Sequence, residues 1–449
     1  MTGTPYSVEH LSQVWARLRG RPDQRGAKDL AVGVDGMRAD AFESRLTEHL
    51  TEISRRIQRR GDDGLPSYRF GPLLCFLHER AGGRTRAIHV ARVRDQVVMR
   101  ALHEDICAAA LQHGMPRLNP PGPLVAFKAL RALLEANPEA WVLRTDIRAF
   151  FDSVPRERVV EAAAKIIDNP TTRDLLRAWA RELRARPAWR SGTTDDYPAA
   201  GLPQGLSLSA SLAELWAARL DQALPKGVGY LRFVDDIVVV ASSETAVWEA
   251  REVLAEAARS SGLELSGPKT VILRAVDGVP WLGMTHFPSI SKADPERVDR
   301  WLRKFVGIRQ RAARELLASP DPAKKDAVVD RFHAEIRAEL HGAASWRAVW
   351  YSMAEDVGLW RRLDQSLHSM IRSIHRLARI PAPSGHRLPS IHRVLKARRQ
   401  HLSASSKAEQ GPCANRPGPR DTPAEQGPTA PGEAEPFPIL PPTEASGSL

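Results

Sequence analysis

The chain has 449 residues, 43% hydrophobic and 26% charged, a balance that fits folded domains and excludes a fibrous or wholly disordered protein. Its formal net charge of +12 and pI near 10.0 point to a polyanionic partner, because a basic surface concentrates phosphate-bearing ligands. Cys75, Cys107 and Cys413 contain no CxxC pair, which argues against a disulfide framework or zinc knuckle and for a reducing, cytoplasmic setting.

Met1 to Val8 is polar and lacks the apolar core of a secretory leader, and no uncharged apolar run approaches membrane-spanning length, so no membrane is expected. Between residues 130 and 285 short β-rich runs, Trp141–Asp146, Tyr230–Val234 and Ile237–Val240, alternate with helical stretches at 156–185, 208–223 and 245–261. A strand, a helix, a hairpin turning at Asp235-Asp236, then a further helix and strand predict a split βαββ sheet. Residues 292–400 read as helical: Trp301, Phe305 and Ile308 recur at helical spacing, as do Leu359, Leu363, Leu367, Met370, Ile371 and Ile374. The other faces carry Arg303, Lys304, Arg309 and Arg311, then Arg361, Arg362, Arg372, Arg376 and Arg379. A solvated face is the ordinary reading of such charge, and a grip on a nucleic-acid backbone is the reading that its one-sided sign supports. The histidines at 333, 341, 368, 375, 386 and 392 show no spacing that suits a zinc nuclease.

From His401 to Leu449 the composition changes. This stretch holds ten of the 34 prolines and repeats Ala-Glu-Gln-Gly-Pro at 408–412 and 424–428. Three Lys/Arg against six Asp/Glu make it net −3, leaving +15 on the first 400 residues. Such a segment has too little apolar surface to offset its ordering entropy, so a disordered tail is expected.

Two acidic positions carry the chemistry. Asp146 ends an apolar strand and precedes Phe150 and Phe151, while Asp235 and Asp236 are adjacent between Phe233-Val234 and Ile237-Val238. Adjacent carboxylates between apolar strands repel and are poorly solvated unless cations neutralise them. A plain Asp-Asp turn is the other reading of the pair alone. Carboxylates converging from neighbouring strands suit a two-metal phosphoryl-transfer site, and all-oxygen ligation suits Mg2+, with Mn2+ as a substitute.

Here the sequence resembles bacterial reverse transcriptases. Thr145-Asp146-Ile147-Arg148-Ala149-Phe150-Phe151-Asp152-Ser153-Val154 resembles their first catalytic motif, and Phe233-Val234-Asp235-Asp236 matches their aromatic-X-Asp-Asp box, with Phe-Val in place of the commoner Tyr-Ala. Gly201-Leu202-Pro203-Gln204-Gly205, followed by Ser207 and Ser209, resembles their template-and-nucleotide motif. Leu265-Ser266-Gly267-Pro268-Lys269-Thr270 is similar to the lysine motif and Trp281-Leu282-Gly283 to the primer-grip turn. Upstream, Arg84-Thr85-Arg86-Ala87-Ile88 and Arg92–Val97 resemble the fingers motifs, and Gly33-Val34-Asp35-Gly36 the N-terminal block of the intron-encoded branch. Among group II intron-like and unknown-group enzymes, the polymerase core with a helical region and a short tail most resembles the stand-alone defence-associated reverse transcriptases, with intron-encoded maturase-type, retron and diversity-generating enzymes as the alternatives.

The resemblance implies an α+β right-hand polymerase: an N-terminal extension and start of the fingers over 1–70, fingers and a βαββ palm over 71–285, a basic helical thumb-like domain over 286–400 and the tail over 401–449. It implies metal ligation by Asp146, Asp235, Asp236 and the Ile147 carbonyl. Arg84 and Arg86 would clamp the triphosphate, and Gln204 and Gly205 would meet the nucleotide. Phe151 would be a steric gate against the 2′-hydroxyl, its alternative being a core ring like Phe150. Lys269 would be a general acid for the leaving pyrophosphate, its alternative a surface lysine. The implied partners are dNTPs, a primer of DNA or RNA, and an RNA template, taken as a structured non-coding RNA gripped by Arg361, Arg372, Arg376 and Arg379. An RNA-dependent RNA polymerase and an RNA-binding maturase scaffold are the competing readings. Phe151 opposes the first and the intact carboxylates oppose the second.

Overall fold

The computed structural model describes residues 5–20, 30–79, 83, 85–115, 123–190, 194–224, 227–318, 321–341, 354, 356–383, 389–391 and 393. The chain forms two compact units, Met1–Arg297 and Val298–Leu449. The expected tail at 401–449 lies outside the described residues, as do Arg84, His386, His392 and the side chain of His341. No helix among the described residues is long and apolar enough to cross a membrane.

The first unit opens with helices α1 (Val8–Arg19), α2 (Ala39–Glu43) and α3 (Leu46–Gln58), and Ser7 caps α1 by accepting a hydrogen bond from the His10 N–H. Strands β1 (Leu73–Glu79) and β2 (Thr85–Val90) form an antiparallel pair, followed by α4 (Val93–Gln112) and α5 (Pro123–Ala136). Then come β3 (Trp141–Asp146), α6 (Phe150–Ser153), α7 (Arg156–Ile166) and α8 (Pro170–Arg181). The single helix expected over 156–185 is therefore two. Pro170 disfavours helical backbone at Asn169, which is extended and caps α8 by accepting from the Thr171 and Thr172 N–H groups.

Strands β4 (Arg184–Pro187) and β5 (Asp195–Asp196) lead to α9 (Ser207–Asp221), the hairpin of β6 (Gly229–Phe233) and β7 (Asp236–Ala241), α10 (Glu244–Ser260) and β8 (Val271–Arg274). The order β6-β7-β3-β8 makes an antiparallel sheet with β7 and β3 at its centre. That central place explains the uninterrupted β-branched run Ile237-Val238-Val239-Val240, buried on both faces. A second sheet has the order β2-β1-β4-β5, in which β1 and β4 run parallel although a long stretch of chain separates them. A third small sheet joins β9 (Val279–Trp281), β10 (Met284–His286) and β11 (Ser291–Ala293). One continuous core, which includes Trp179, Trp216, Ile237, Val239 and Leu254, underlies the first unit. The fold is mixed helix and sheet, as the sequence implies.

The second unit contains α11 (Pro295–Ala318) from Val298 onward, α12 (Pro322–His341) and α13 (Val357–Ala378). Trp301, Phe305 and Ile308 are buried at their helical spacing, as are Leu363, Leu367, Ile371 and Ile374. Trp301 donates to the Glu339 carboxylate at 3.0 Å, and Arg311 pairs with Glu335 at 2.7 Å, so polar rims flank the apolar seam between α11 and α12. His333 and His375 are hydrogen-bonded through their Nε2 atoms at 2.8 Å.

Candidate active site

The sheet puts the three aspartates in one place. Asp146 is the last residue of β3 and stands directly opposite Asp236, the first of β7. Phe233 pairs with Asp236, leaving Val234 and Asp235 as a two-residue turn. Val234 has φ 59° and Asp235 a negative φ, the pattern of a type II′ hairpin turn that normally takes glycine at its first position. A β-branched residue there is strained. The Ile147 N–H donates to the Asp235 carbonyl at 3.0 Å, and the Ser266 N–H to the Asp146 carbonyl at 2.7 Å. Backbone bonds thus hold the end of β3, the dyad turn and the segment leading to Lys269 together.

The charges are unevenly matched. Asp146 is buried, and the Nζ of the half-exposed Lys269 lies 2.6 Å from its Oδ2. Arg144 Nη2 lies 3.4 Å from Asp236 Oδ1. Burial, then the neighbouring Asp146 and Asp236, push the Asp235 carboxyl up to about 6. Burial also raises Asp236, with Asp146 adding to it and Arg144 opposing it. Three carboxylates face two cations among the described residues, Lys269 at Asp146 and Arg144 at Asp236. Among the described residues no group of three or more His, Cys, Asp or Glu is arranged to hold a metal ion by itself. Carboxylate oxygens are hard donors, so the chemistry of the three side chains suits a divalent cation that draws its remaining ligands from elsewhere.

Around the aspartates the structure assembles other residues that the sequence singled out. Phe150 is buried, while Phe151 is half-buried and meets it edge to face with ring centroids 5.6 Å apart. The Leu202 N–H donates to the Phe151 carbonyl at 2.7 Å, and the Gly201 N–H to the Val154 carbonyl at 2.9 Å. Gln204 donates through Nε2 to Asp152 Oδ1 at 3.3 Å and accepts on its backbone carbonyl from the His89 N–H at 2.8 Å. Gly205 has φ 109°, and a Cβ there would sit 2.7 Å from the His89 carbonyl. Only glycine fits that approach. The Gly-Leu-Pro-Gln-Gly segment is thereby clamped between α6 and β2, the strand that carries the half-buried Arg86.

Other expected residues belong to other elements. Arg361, Arg372, Arg376 and Arg379 are exposed on and just beyond α13, in the second unit. Arg92 and Asp95, from the second fingers motif, form a tie within the fold. Arg92 Nε lies 2.8 Å from Asp95 Oδ2, and Asp95 also accepts from the Tyr68 hydroxyl at 2.6 Å and the Gly71 N–H at 3.1 Å. Gly33 is needed nearby, since a Cβ would lie 2.7 Å from the Arg92 nitrogen.

Sequence reasoning missed a charged network beside the hairpin. Arg232 of β6 donates from Nε and Nη2 to Asp221 at 2.8 and 2.9 Å, and from Nη1 to Glu214 at 2.8 Å and to the Val234 carbonyl at 2.9 Å. The Tyr230 hydroxyl donates to Asp221 at 2.8 Å. The available signal was an arginine inside an apolar strand, with two acids spaced seven residues apart, two helical turns, on the preceding helix.

Residues 79–286 match the family model described as reverse transcriptase (RNA-dependent DNA polymerase). No curated protein matches the chain. Among solved structures, it is similar to apo telomerase from Candida tropicalis truncated from its C-terminal domain, at 15% identity and TM-score 0.39, covering 50% of this chain and 55% of that one. It is also similar to apo telomerase from Candida tropicalis, at 13% identity and TM-score 0.43, covering 84% and 72% of the two chains. For Candida albicans telomerase in complex with a fragment of telomeric RNA the values are 10%, 0.41, 87% and 71%. The chain thus spans about half of the truncated telomerase and about seven tenths of the other two. Residues 79–286, which hold Asp146, Asp235, Asp236 and Lys269, are a reverse transcriptase (RNA-dependent DNA polymerase) domain.

Proposed function

We propose that this protein extends a primer 3′-hydroxyl with dNTPs on an RNA template, at a site that binds two Mg2+ ions or, in their place, Mn2+. The observation that carries the reading is the facing register of Asp146 and Asp236 with Asp235 in the adjoining turn. Asp146, Asp235, Asp236 and the Ile147 carbonyl would hold the ions, which when bound activate the 3′-hydroxyl and neutralise the triphosphate. The burial of Asp146 and half-burial of Asp235 and Asp236 strengthen their pull on a cation. Lys269, 2.6 Å from Asp146, would give a proton to the leaving pyrophosphate. Arg86, with Arg84, would pair with phosphate oxygens. Gln204 and Gly205 would let the nucleotide approach the backbone. The half-buried Phe151 presents a ring to the sugar, which favours a DNA product over RNA.

In this reading the first unit supplies fingers and palm and the second a thumb-like domain. Arg361, Arg372, Arg376 and Arg379 form an exposed basic stripe for RNA phosphates. The setting we propose is phage defence in the bacterial cytoplasm, for which the support is the resemblance of the polymerase core, helical region and short tail to defence-associated enzymes; the stripe supports a structured non-coding RNA as partner. The test is primer extension by purified protein. Asp146→Asn and Asp235→Asn are expected to abolish dNTP incorporation, and near-normal extension by either refutes the assignment. Phage resistance that survives loss of the dyad would refute the defence setting alone.

A further inference from the structure

We infer that Arg232 is a positioning residue that holds the dyad turn in its metal-binding shape, an inference that rests on the polymerase reading. Its side chain is 2% exposed, and its Nε, Nη1 and Nη2 all donate to acceptors within the fold. Three of those bonds fix the guanidinium against Asp221 and Glu214 of α9. The fourth reaches forward two residues to the carbonyl of Val234, the residue at φ 59°. A valine does not stay in a type II′ turn unaided, so something must hold it there. Arg232 links a buried helix to the strained peptide that carries Asp235. The Ile147 N–H meets the Asp235 carbonyl on the other side, so the dyad peptide is gripped from both ends. Glu214 is buried, and among the described residues its Oε1 has no hydrogen-bond partner, so its hold on the guanidinium rests on Oε2 alone.

A lysine keeps the charge and loses the fork, so it cannot serve Asp221, Glu214 and the Val234 carbonyl together. The experiment compares wild type, Arg232→Lys and the double variant Arg232→Lys/Val234→Gly. Mn2+ binding is followed by electron paramagnetic resonance of the free ion, and kcat and KM by extension of oligo(dT) on poly(rA) with dTTP. Arg232→Lys is expected to bind Mn2+ about tenfold more weakly, the scale of losing an outer-shell partner. Its kcat is expected to fall about a hundredfold with KM for dTTP unchanged. The glycine variant adopts the turn without help and is expected to regain Mn2+ affinity, a rescue that a merely structural arginine would not show. If Arg232→Lys does not fold, Glu214→Gln carries the same expectation, because it removes the charge that orients Nη1. Wild-type Mn2+ affinity in the folded arginine or glutamate variant overturns the inference, as does a double variant without rescue. Mn2+ binding that is the same in wild type and Asp235→Asn overturns the polymerase reading and this inference with it.

Discussion

Replacing Asp235 with asparagine should destroy activity and yet make the metal-free protein more stable. The side chain sits in a half-buried turn beside Asp146 and Asp236, and its carboxyl is pushed from 3.8 to about 6. A carboxyl whose folded pKa is raised binds protons more tightly folded than unfolded, so stability falls as pH rises from about 4 to 6 and is flat above. Slightly more than two pKa units at 1.36 kcal/mol each is about 3 kcal/mol lost by wild type at neutral pH. The asparagine side chain stays neutral at every pH and avoids that loss. Urea unfolding in EDTA between pH 4 and 8 should therefore show Asp235→Asn and wild type converging at the acid end, with the variant ahead by up to about 3 kcal/mol at pH 7.5. Mg2+ should then close the gap by stabilising wild type alone, by about 2.7 kcal/mol at a hundred times its Kd. A variant no more stable than wild type at pH 7.5, or a gap that ignores pH, refutes the electrostatic account of the site.

Three further predictions bear on substrate contacts. Phe151→Ala should raise ribonucleotide over deoxyribonucleotide incorporation in single-nucleotide extension, and an unchanged ratio would return Phe151 to the core. Gly205→Ala should cost about 1–3 kcal/mol by thermal unfolding, because φ is 109° and the new methyl would meet the His89 carbonyl. It should also slow extension by displacing Gln204. Replacing Arg372, Arg376 and Arg379 together with Glu should weaken RNA binding. It should make the dependence of log K on log salt shallower by about 2, at about 0.7 per lost phosphate contact. An unchanged slope in a filter-binding titration would mean that RNA does not use this face.

The parts of the fold that the sequence made legible were local. The β-branched run after the dyad, the helical seams of Trp301, Phe305 and Ile308, and the alternation of strand, helix and hairpin are periodicities within one element. The sheet joining β1 to β4 was not legible, because a parallel pair brought together across so long a separation leaves no repeating pattern in either segment. The break at Asn169-Pro170 was legible in principle, since a proline preceded by a capping residue is a boundary signal that the apolar periodicity on either side obscured. In the site, the aspartates stood out because acids between apolar strands are costly. Arg232, Glu214 and Asp221 did not, because each alone looks like an ordinary charge, and only the fold shows that one guanidinium serves both acids and a backbone carbonyl.

That network bears on how the catalytic register is specified at all. In a sheet with one wet face, a slip of one residue turns apolar side chains to water, and the penalty fixes the pairing. Strand β7 is buried on both faces from Ile237 to Val240, so a slip would exchange one buried β-branched residue for another at little hydrophobic cost. It would nevertheless move Asp236 off Asp146 and dismantle the site. Hydrophobic patterning therefore cannot secure the one alignment that matters here. Directional bonds must do it: Arg232 with Asp221, Glu214 and the Val234 carbonyl, Tyr230 with Asp221, and the Ile147 N–H with the Asp235 carbonyl. Each has one geometry that satisfies it, and a slipped hairpin would part a buried guanidinium from Asp221 and from the buried Glu214. The mismatched charge at the aspartates costs stability, and the matched charge beside them prevents the sheet from escaping that cost by shifting.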